Sequence, residues 1–125
     1  MVEVHSDLVK NWFYITVKGK LTLAEAMALQ DKTIAEAKKL KPGFGSISDI
    51  SQIIPADEAT RVIIQDTMMK VKGLGMGHVV RITNSENFIT ANQWRRSSRV
   101  VGYEASEAPN REEAEKLLAK MEKGS

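Results

Sequence analysis

The sequence predicts a single α/β domain, residues 1–125, in which strands and helices alternate along most of the chain. Two observations carry this prediction. Runs of β-branched and aromatic residues recur at intervals, and longer runs of alanine, leucine, lysine and glutamate, which favour helices, separate them. The predicted order is β-β-α-β-α-β-α-β-α. This order indicates a mixed, mostly parallel sheet of about four to five strands, with an antiparallel N-terminal edge and about four helices.

The first half of the chain contains a predicted hairpin, a helix and a buried strand. VEV at the N-terminus and the later run WFYITVKG, with turn residues between them, predict two antiparallel strands. Thr22 and Glu25 have the spacing of a capping box, and a Pro-Gly pair ends the run that follows, so we expect a helix near residues 23–40. The run FGSISDI, about residues 44–50, predicts the next strand. The predicted buried stripe of the helix is Leu23, Met27, Ile34 and Ala37.

The second half repeats the pattern. Residues 57–72 predict a second helix with one buried stripe and further apolar residues outside it. The stripe is Ile64, Met68 and Val71, and the residues outside it are Val62, Ile63 and Met69. HVVRIT predicts a buried strand, NSEN can cap a third helix over about 86–99, and VGYEA, residues 101–105, predicts a last short strand. Asn110 and Glu113 repeat the capping spacing before a final helix. Its inward residues are predicted to be Ala114, Leu117, Leu118 and Met121.

The composition excludes several kinds of catalytic site. Cysteine is absent, which removes disulfides, thiol catalysis and thiolate metal sites together. His5 and His78 stand apart from each other and from any carboxylate cluster, so neither a zinc site nor a hydrolase triad can be assembled. GLGMG follows a helix and precedes a strand, the reverse of a dinucleotide-binding loop. We therefore predict a protein that is not an enzyme and that has no metal and no cofactor.

Charge and hydropathy limit the partners. The net charge is +2, with acids interleaved among the basic residues, which gives no general case for nucleic acid. WRRSSR combines Trp94 with Arg95, Arg96 and Arg99, residue types that bind phosphates and stack on bases, yet we favour a solvated helix face and predict no specific nucleic-acid binding. No apolar run is long enough to span a bilayer, so we expect no membrane insertion. MVEVHSDL lacks the basic start and apolar core of a signal peptide, which predicts a cytoplasmic protein.

One short stretch, SDISQIIPADEAT at residues 48–60, joins the predicted third strand to the second helix. In open α/β sheets, ligand and partner sites gather beyond the carboxyl ends of the strands, where this stretch lies. Acids at the start of a helix are also favoured by its dipole, so Asp57 and Glu58 have a structural explanation as well. Position alone leaves both interpretations open.

The stretch also resembles the switch segment of the STAS family, which includes the anti-sigma-factor antagonists and the cytoplasmic domains of sulfate transporters. Asp49-Ile50-Ser51 is similar to the family's aspartate-hydrophobic-serine at a strand end, and Asp57 follows at about the family's spacing. GKLT, residues 19–22, is similar to the family's turn into the first helix, and a glycine of GLGMG falls where the next strand begins. The resemblance implies a STAS-like fold over nearly the whole chain and a regulatory role in bacterial signalling.

The resemblance further implies how such a protein would be controlled. In anti-sigma-factor antagonists, a partner kinase phosphorylates the serine or threonine after the second aspartate, and this releases the partner. Glu58 takes that place here, and a glutamate carries one permanent charge against about −1.5 to −2 for a phosphate. Either this branch has lost the switch, or the modification has moved. The candidate modification sites are then Ser48, Ser51 and Thr60.

From these observations we predict a non-enzymatic regulatory module that binds a protein partner, such as a kinase or an anti-sigma-type regulator, with a homodimer left open. The predicted partner-binding residues are Ser51, Gln52, Ile54, Asp57, Glu58, Arg61, Val62 and Met69. The alternative hypothesis is a carrier of a small lipophilic ligand on the same fold, because methionine adapts to irregular apolar ligands and STAS domains resemble some lipid-carrying domains in sheet topology. Its candidate residues are Met27, Met68, Met69 and Met76.

Overall fold

The computed structural model of the protein describes residues 1–83, 96, 101–102 and 105–124. The strands are β1 Val2–Asp7, β2 Trp12–Gly19, β3 Gly45–Ile53, β4 Val79–Ile82 and β5 Ser106–Ala108. The helices in this part of the chain are α1 Leu23–Ala37, α2 Glu58–Gly73 and α3 Arg111–Lys123. The strands form one five-stranded sheet in the order β1-β2-β3-β4-β5, with β1 antiparallel to β2 and the other neighbours parallel. The predicted fold class is confirmed.

The sheet is covered on both faces, because α1 and α2 pack on one side and α3 on the other. Alternate residues of β2 show the division: Phe13 belongs to the core under α1 and α2, whereas Trp12 and Tyr14 belong to the core under α3. β3 contributes to both cores, with Ile50 on the first side and Ile47 on the second. A central parallel strand buried on both faces is typical of this architecture.

The start of α1 follows the predicted capping box. Thr22 Oγ1 accepts a hydrogen bond from the Glu25 backbone N–H at 3.1 Å, and Glu25 Oε1 accepts one from the Thr22 backbone N–H at 3.1 Å. Two amides that a helix start leaves without intrahelical partners are thereby satisfied.

The predicted buried stripe of α1 is wrong for two of its residues. Leu23 and Met27 are 44% and 54% exposed, Ile34 is half-buried, and only Ala37 is buried as predicted. The buried residues of the helix are Ala26, Leu29, Thr33 and Ala37. Their spacing of three, four and four positions marks one helix face, but the face includes a threonine, which a pattern based on apolar residues passes over. The two large apolar side chains therefore remain on the surface.

Two further boundaries differ from the prediction. α1 ends at Ala37. The amides of Lys39 and Leu40 bond to carbonyls only three residues back, at 3.2 and 3.1 Å, in a tighter turn that buries Leu40. The last strand lies at Ser106–Ala108 rather than at residues 101–105. Gly102 has a φ of +96°, in the left-handed region that the interior of an extended strand does not use, and pairing with β4 begins at Ser106. The predicted helix over 86–99 lies outside the described residues apart from residue 96, which is helical.

β3 runs through Ile53, although its predicted end is near residue 50. The register pairs Thr16 with Asp49 and Lys18 with Gln52. One residue of β2 therefore lies opposite two residues of β3, Ile50 and Ser51, which is a β-bulge. Because the bulge breaks the alternation of faces, Ile50 and Ile53 both reach the core under α1 and α2 although they are three positions apart. Residues 51–53, which follow the predicted end of the strand, thus belong to β3.

α3 packs closely on the sheet because β3 begins with a glycine. A Cβ on Gly45 would lie 2.8 Å from both Leu118 Cδ2 and Trp12 Cδ1, too close for any side chain. The helix is also tied to β2 by a polar contact, in which the Tyr14 hydroxyl donates to Glu115 Oε1 at 3.2 Å. Burial, and after it the neighbouring Glu115 carboxylate, raise the pKa of Tyr14. Tyr14 therefore stays protonated and continues to donate at neutral pH.

We expect Thr22→Ala and Asn110→Ala each to lower the free energy of unfolding by about 1 kcal/mol, since each removes the side chain that caps a helix. Urea denaturation midpoints measure the loss. Thr22→Ser keeps a hydroxyl at the cap and serves as the control, with a midpoint close to that of the wild type. Unchanged midpoints in both alanine variants would contradict the prediction.

Candidate functional site

The candidate site lies at the carboxyl edge of the sheet, where β2 to β5 end and the three described helices begin. The edge includes the connection from β3 to α2, residues 54–57, which the Ile54 backbone N–H ties to the Gly19 carbonyl at 3.0 Å. Open α/β sheets carry their sites at this edge, since loops and helix N-termini converge there. The predicted partner-binding residues lie at this edge or in the first turns of α2, except Met69, which lies 11 positions after Glu58, about 16 Å along the helix.

The motif Asp49-Ile50-Ser51 surrounds the bulge of β3. Asp49 Oδ1 accepts two hydrogen bonds from Ser51, one from its backbone N–H at 3.1 Å and one from its hydroxyl at 2.6 Å. Both side chains are half-buried. The aspartate therefore fixes the position of the serine hydroxyl at the bulge. Sequence spacing alone gives no indication of this local contact.

The start of α2 presents one structural acid and one free acid. Asp57 is the N-cap, and its Oδ1 accepts from the Thr60 backbone N–H at 2.8 Å. This hydrogen bond holds the pKa of Asp57 below its usual value of 3.8, so Asp57 is ionised at neutral pH. Glu58 lies in the first helical turn and is exposed. The helix dipole favours its negative charge without any further contact.

An apolar patch, which we define as Leu23, Met27, Ile54, Val62 and Met69, lies on this side of the molecule. Each of these side chains is 44% to 58% exposed. The first two are on α1, the third precedes α2, and the last two are on α2 with the i, i+7 spacing of one helix face. Clustered exposed apolar residues mark interaction surfaces more often than single ones do.

α1 and α2 run side by side, which brings the two halves of the apolar patch toward each other. Gln30 Nε2 donates to Asp66 Oδ2 at 2.9 Å and to Thr67 Oγ1 at 3.1 Å. Met27 precedes Gln30 by three positions and Val62 precedes Asp66 by four, so both lie one turn nearer the carboxyl edge than this contact. The sequence interpretation missed the α1 half, because it assigned Leu23 and Met27 to the core.

The three candidate modification sites differ in accessibility. Ser48 is 5% exposed on the α1/α2 face of the sheet, and Thr60 is 0% exposed beneath the start of α2. A kinase cannot reach either hydroxyl without local opening of the fold. Ser51 is half-buried at the edge and has its hydroxyl bonded to Asp49. Accessibility therefore favours Ser51 over the other two.

Next to the loop, Arg61 combines a half-buried side chain with an unusual local environment. Its Nε is buried and has no hydrogen-bond partner among the described residues, and the same holds for the neighbouring Thr60 Oγ1. Buried polar groups without a partner lower stability by about 1–3 kcal/mol each. The start of α2 thus contains two buried polar atoms to which the described residues supply no hydrogen bond.

A small cavity of about 40 Å³ lies between the sheet and the two helices α1 and α2. Its polar lining is Thr33, Ser46, Ser48, Thr67 and Arg81, and its apolar lining includes Leu29, Ile64, Met68, Val71 and Met76. Thr33 Oγ1 is buried and has no hydrogen-bond partner in the described part of the chain. Pockets for small organic ligands are typically about 300–1,000 Å³. In this conformation the cavity is therefore too small for a lipid.

The described residues contain neither a metal-binding cluster nor a helix that could span a membrane. No group of three or more histidine, aspartate or glutamate side chains is placed to hold a metal ion in residues 1–83, 96, 101–102 and 105–124. Across the same residues, no helix has the length and apolar content needed to cross a bilayer. The arginine cluster at 94–99 lies outside the described residues apart from Arg96, which is exposed.

No family model matches the chain, and no curated protein does. Among solved structures, the anti-sigma factor antagonist SpoIIAA in its unphosphorylated form aligns over 98% of this chain and 98% of its own, with a TM-score of 0.62 at 10% identity. The chain has the SpoIIAA-like fold. A DUF3478-family protein from Shewanella loihica PV-4, itself described as SpoIIAA-like, aligns over 94% of this chain and 92% of its own, with a TM-score of 0.62 at 15% identity.

A crystal structure of Mglu shares part of the SpoIIAA-like fold. It aligns over 68% of this chain and 19% of its own, with a TM-score of 0.51 at 13% identity. The predicted STAS-like architecture is confirmed by these likenesses. At such identities they establish the fold alone.

Asp57→Ala is expected to destabilise the protein most at neutral pH. The folded-state pKa of Asp57 is lowered, so its contribution is present above the unfolded value and is lost as the pH falls through the folded value. Urea midpoints at about pH 7 and about pH 3 measure the change. Asp57→Asn is the matched control, because asparagine caps equally well without titrating. A stability loss in Asp57→Ala that is equal at both pH values would refute this account.

Proposed function

We propose that this chain is a non-enzymatic regulatory module that binds a protein partner through the carboxyl edge of its SpoIIAA-like fold. One observation carries the proposal: exposed apolar side chains, Ile54 and Val62, flank an exposed acid, Glu58, at the start of a helix. Apolar anchors supply the area that such an interface needs, and a fixed charge supplies orientation. The likeness to an anti-sigma factor antagonist supports the same surface.

The partner would be a kinase or an anti-sigma-type regulator with an apolar surface and a nearby cation. Glu58 is an acidic residue that a kinase does not phosphorylate, so its carboxylate would be part of the interface in all states of the protein. If a switch exists on this surface, Ser51 is its best-placed hydroxyl. A phosphate there would lie beside Asp49, and repulsion between the two would disturb the bulge that shapes the edge.

A second candidate function, the carrier of a small lipophilic ligand, is supported by the cavity under α1 and α2. Met68 and Met76 line it, and methionine side chains adapt readily to irregular shapes. Met27 and Met69, the other two methionines of the hypothesis, are more than half exposed and lie outside the cavity lining. A lipophilic ligand would have to displace the lining side chains, because the volume is about 40 Å³. This requirement makes the carrier the weaker candidate.

Glu58→Lys and Val62→Asp are expected to abolish retention of the partner on the immobilised protein. The first reverses a charge, and the second places a charge at an apolar position, both at the centre of the surface. Glu112→Lys is the matched control, because Glu112 is also an exposed acid in the first turn of a helix, but α3 packs on the face of the sheet opposite to α2. Retention measured with purified partner should be unchanged in this control. Equal retention by all three variants would remove the assignment of this surface.

The milder change Glu58→Ser should alter the partner's affinity while changing the free energy of unfolding by no more than about 0.5 kcal/mol. Isothermal titration calorimetry gives the affinity, and urea denaturation gives the stability. An unchanged affinity would mean that residues 48–60 only connect a strand to a helix and do not take part in binding the partner.

Native mass spectrometry of protein purified from its host tests the carrier. The partner-binding proposal predicts the bare polypeptide mass. A stoichiometric additional mass, lost in a variant such as Leu29→Trp that fills the cavity, would favour the carrier instead.

A further inference from the structure

The turn between β1 and β2 presents two adjacent aliphatic side chains that the fold does not use. Leu8 is 66% exposed and Val9 is 97% exposed, so they project from the surface at the amino edge of the sheet. The turn is held in shape by Asp7, whose Oδ1 accepts from the backbone N–H groups of Val9 and Lys10 at 3.0 and 3.1 Å. We call residues 8–10 the hairpin tip.

The hairpin tip is fixed to the body of the domain by Asn11. This residue has a φ of +60°, a conformation that asparagine tolerates better than most residues. Its Nδ2 donates to the Lys41 carbonyl at 3.1 Å, and its Oδ1 accepts from the Lys41 backbone N–H at 2.8 Å. The Gly45 backbone N–H donates to the Asn11 carbonyl at 3.0 Å. The tip is thus a defined projection beside the connection from α1 to β3.

Lysines surround this projection. Trp12 Nε1 donates to Glu122 Oε1 at 2.7 Å, which brings the last turn of α3 to the base of the hairpin. The exposed lysines of the tip, of the α1–β3 connection and of the last turn of α3 are Lys10, Lys38, Lys39, Lys41, Lys120 and Lys123. Lysines in a last helical turn are explained by the helix dipole. Lys10 and Lys41 lie outside any helix and lack that explanation.

The acids at this edge have their carboxylates engaged locally. Asp7 accepts from the turn, and Glu122 accepts from Trp12. Glu36 accepts from the Ser6 hydroxyl at 2.6 Å and pairs with Lys39 at 3.0 Å. Among the described residues, six exposed lysines against these three acids leave an excess of positive charge around two exposed aliphatic side chains.

We propose that the amino edge docks on an anionic lipid surface, with Leu8 and Val9 entering the headgroup region and the lysines facing acidic headgroups. Apolar residues combined with neighbouring lysines are the two signals that together give peripheral membrane binding. The contact is adsorption to one leaflet and requires no membrane-spanning segment. It is independent of the proposed function, because it uses the opposite end of the sheet.

The shape and chemistry of the edge favour lipid over a macromolecular partner. A protein partner needs a pocket for a projecting Val9 and oriented partners for its hydrogen bonds, whereas a bilayer accepts a projection anywhere on its surface. Lysine acts as a point charge without directional demands, which suits a fluid array of headgroups. For single-stranded nucleic acid the edge would need an exposed aromatic side chain for stacking, and Trp12 is buried.

Co-sedimentation of the full chain with vesicles tests this inference. At low ionic strength, binding to vesicles of phosphatidylcholine with about one third phosphatidylserine is expected to exceed binding to phosphatidylcholine alone about tenfold. The double variant Leu8→Ser/Val9→Ser should lower the binding about tenfold, and Lys10→Gln/Lys38→Gln/Lys41→Gln should lower it comparably. Ile54→Ser/Val62→Ser, which changes exposed apolar residues at the opposite edge, should bind as the wild type does.

Entry of the tip has a separate readout. Fluorescence of the variant Val9→Trp, after subtraction of the wild-type signal, should shift to shorter wavelength on anionic vesicles and be quenched by lipids brominated on their acyl chains. The inference is overturned if the wild type stays in the supernatant with anionic vesicles, or if only the lysine changes reduce binding. It is equally overturned if the Val9→Trp signal is unaffected by brominated lipid, or if a protein partner binds this edge while vesicles do not.

Discussion

The pairing of β3 with both of its neighbours is the constraint on which the rest of the structure depends. Its Ser46, Ile47 and Ser48 are bonded to β2 on one side and to β4 on the other, and both of its faces are buried. A strand in that position cannot shift by one residue without exchanging the two cores. Every element packed on the sheet therefore takes its place relative to β3, including the start of α2 that follows it.

β3 also places two polar side chains in the interior of the protein. Ser46 and Ser48 lie on the face toward α1 and α2, and Arg81 pairs in register with Ser48 on the neighbouring strand. Together with Thr33 they line a cavity that a wholly apolar core would have closed. Part of the stability that close packing would give is thus absent between the sheet and these two helices.

The sequence was sufficient for the fold because its local signals agree with one another. The hairpin residues, the capping residues Thr22 and Asn110 and the buried stripe of α2 all lie where the patterns predict. The error in the buried stripe of α1 has a single cause. Thr33 occupies a core position that hydrophobic periodicity does not credit, so the apolar face of α1 was assigned to Leu23 and Met27. The exposure of Leu23 and Met27, which extend the candidate site, could not be predicted because the buried face of α1 includes Thr33.

The site itself was less predictable than the fold. Spacing places Asp49, Asp57 and Glu58 at the carboxyl edge, since chain order and parallel pairing determine which loops meet there. It does not reveal that Asp49 bonds the Ser51 hydroxyl, because that contact depends on the bulge. Nor does it show that Ser48 and Thr60 are buried, since serine and threonine occur both inside proteins and on their surfaces. Both the contact of Asp49 with Ser51 and the burial of Ser48 and Thr60 depend on strand pairing and packing, which residue types alone do not specify.

The two ends of the sheet differ in chemistry as well as in position. The eight residues of β2 span roughly 25 Å at about 3.3 Å each, which separates the hairpin tip from the start of α2. Exposed acids begin α2 and α3, whereas lysines gather where the helices end. Such polarity is partly a property of any parallel α/β fold, because all its helix dipoles point the same way. In this protein Lys10 of the hairpin tip adds further positive charge to the amino edge.

The β-bulge gives β3 one residue more than its pairing with β2 uses. Beyond it, Ile53 turns toward the core and Ile54 toward solvent. Removing Ser51 would leave Ile50 and Ile53 two positions apart, which regular alternation places on the same face, so the side chains beyond the bulge would keep their directions. What the deletion would remove is the hydroxyl that Asp49 holds at the edge. The extra residue therefore adds a polar group to the surface that a partner encounters, while the path of the strand does not depend on it.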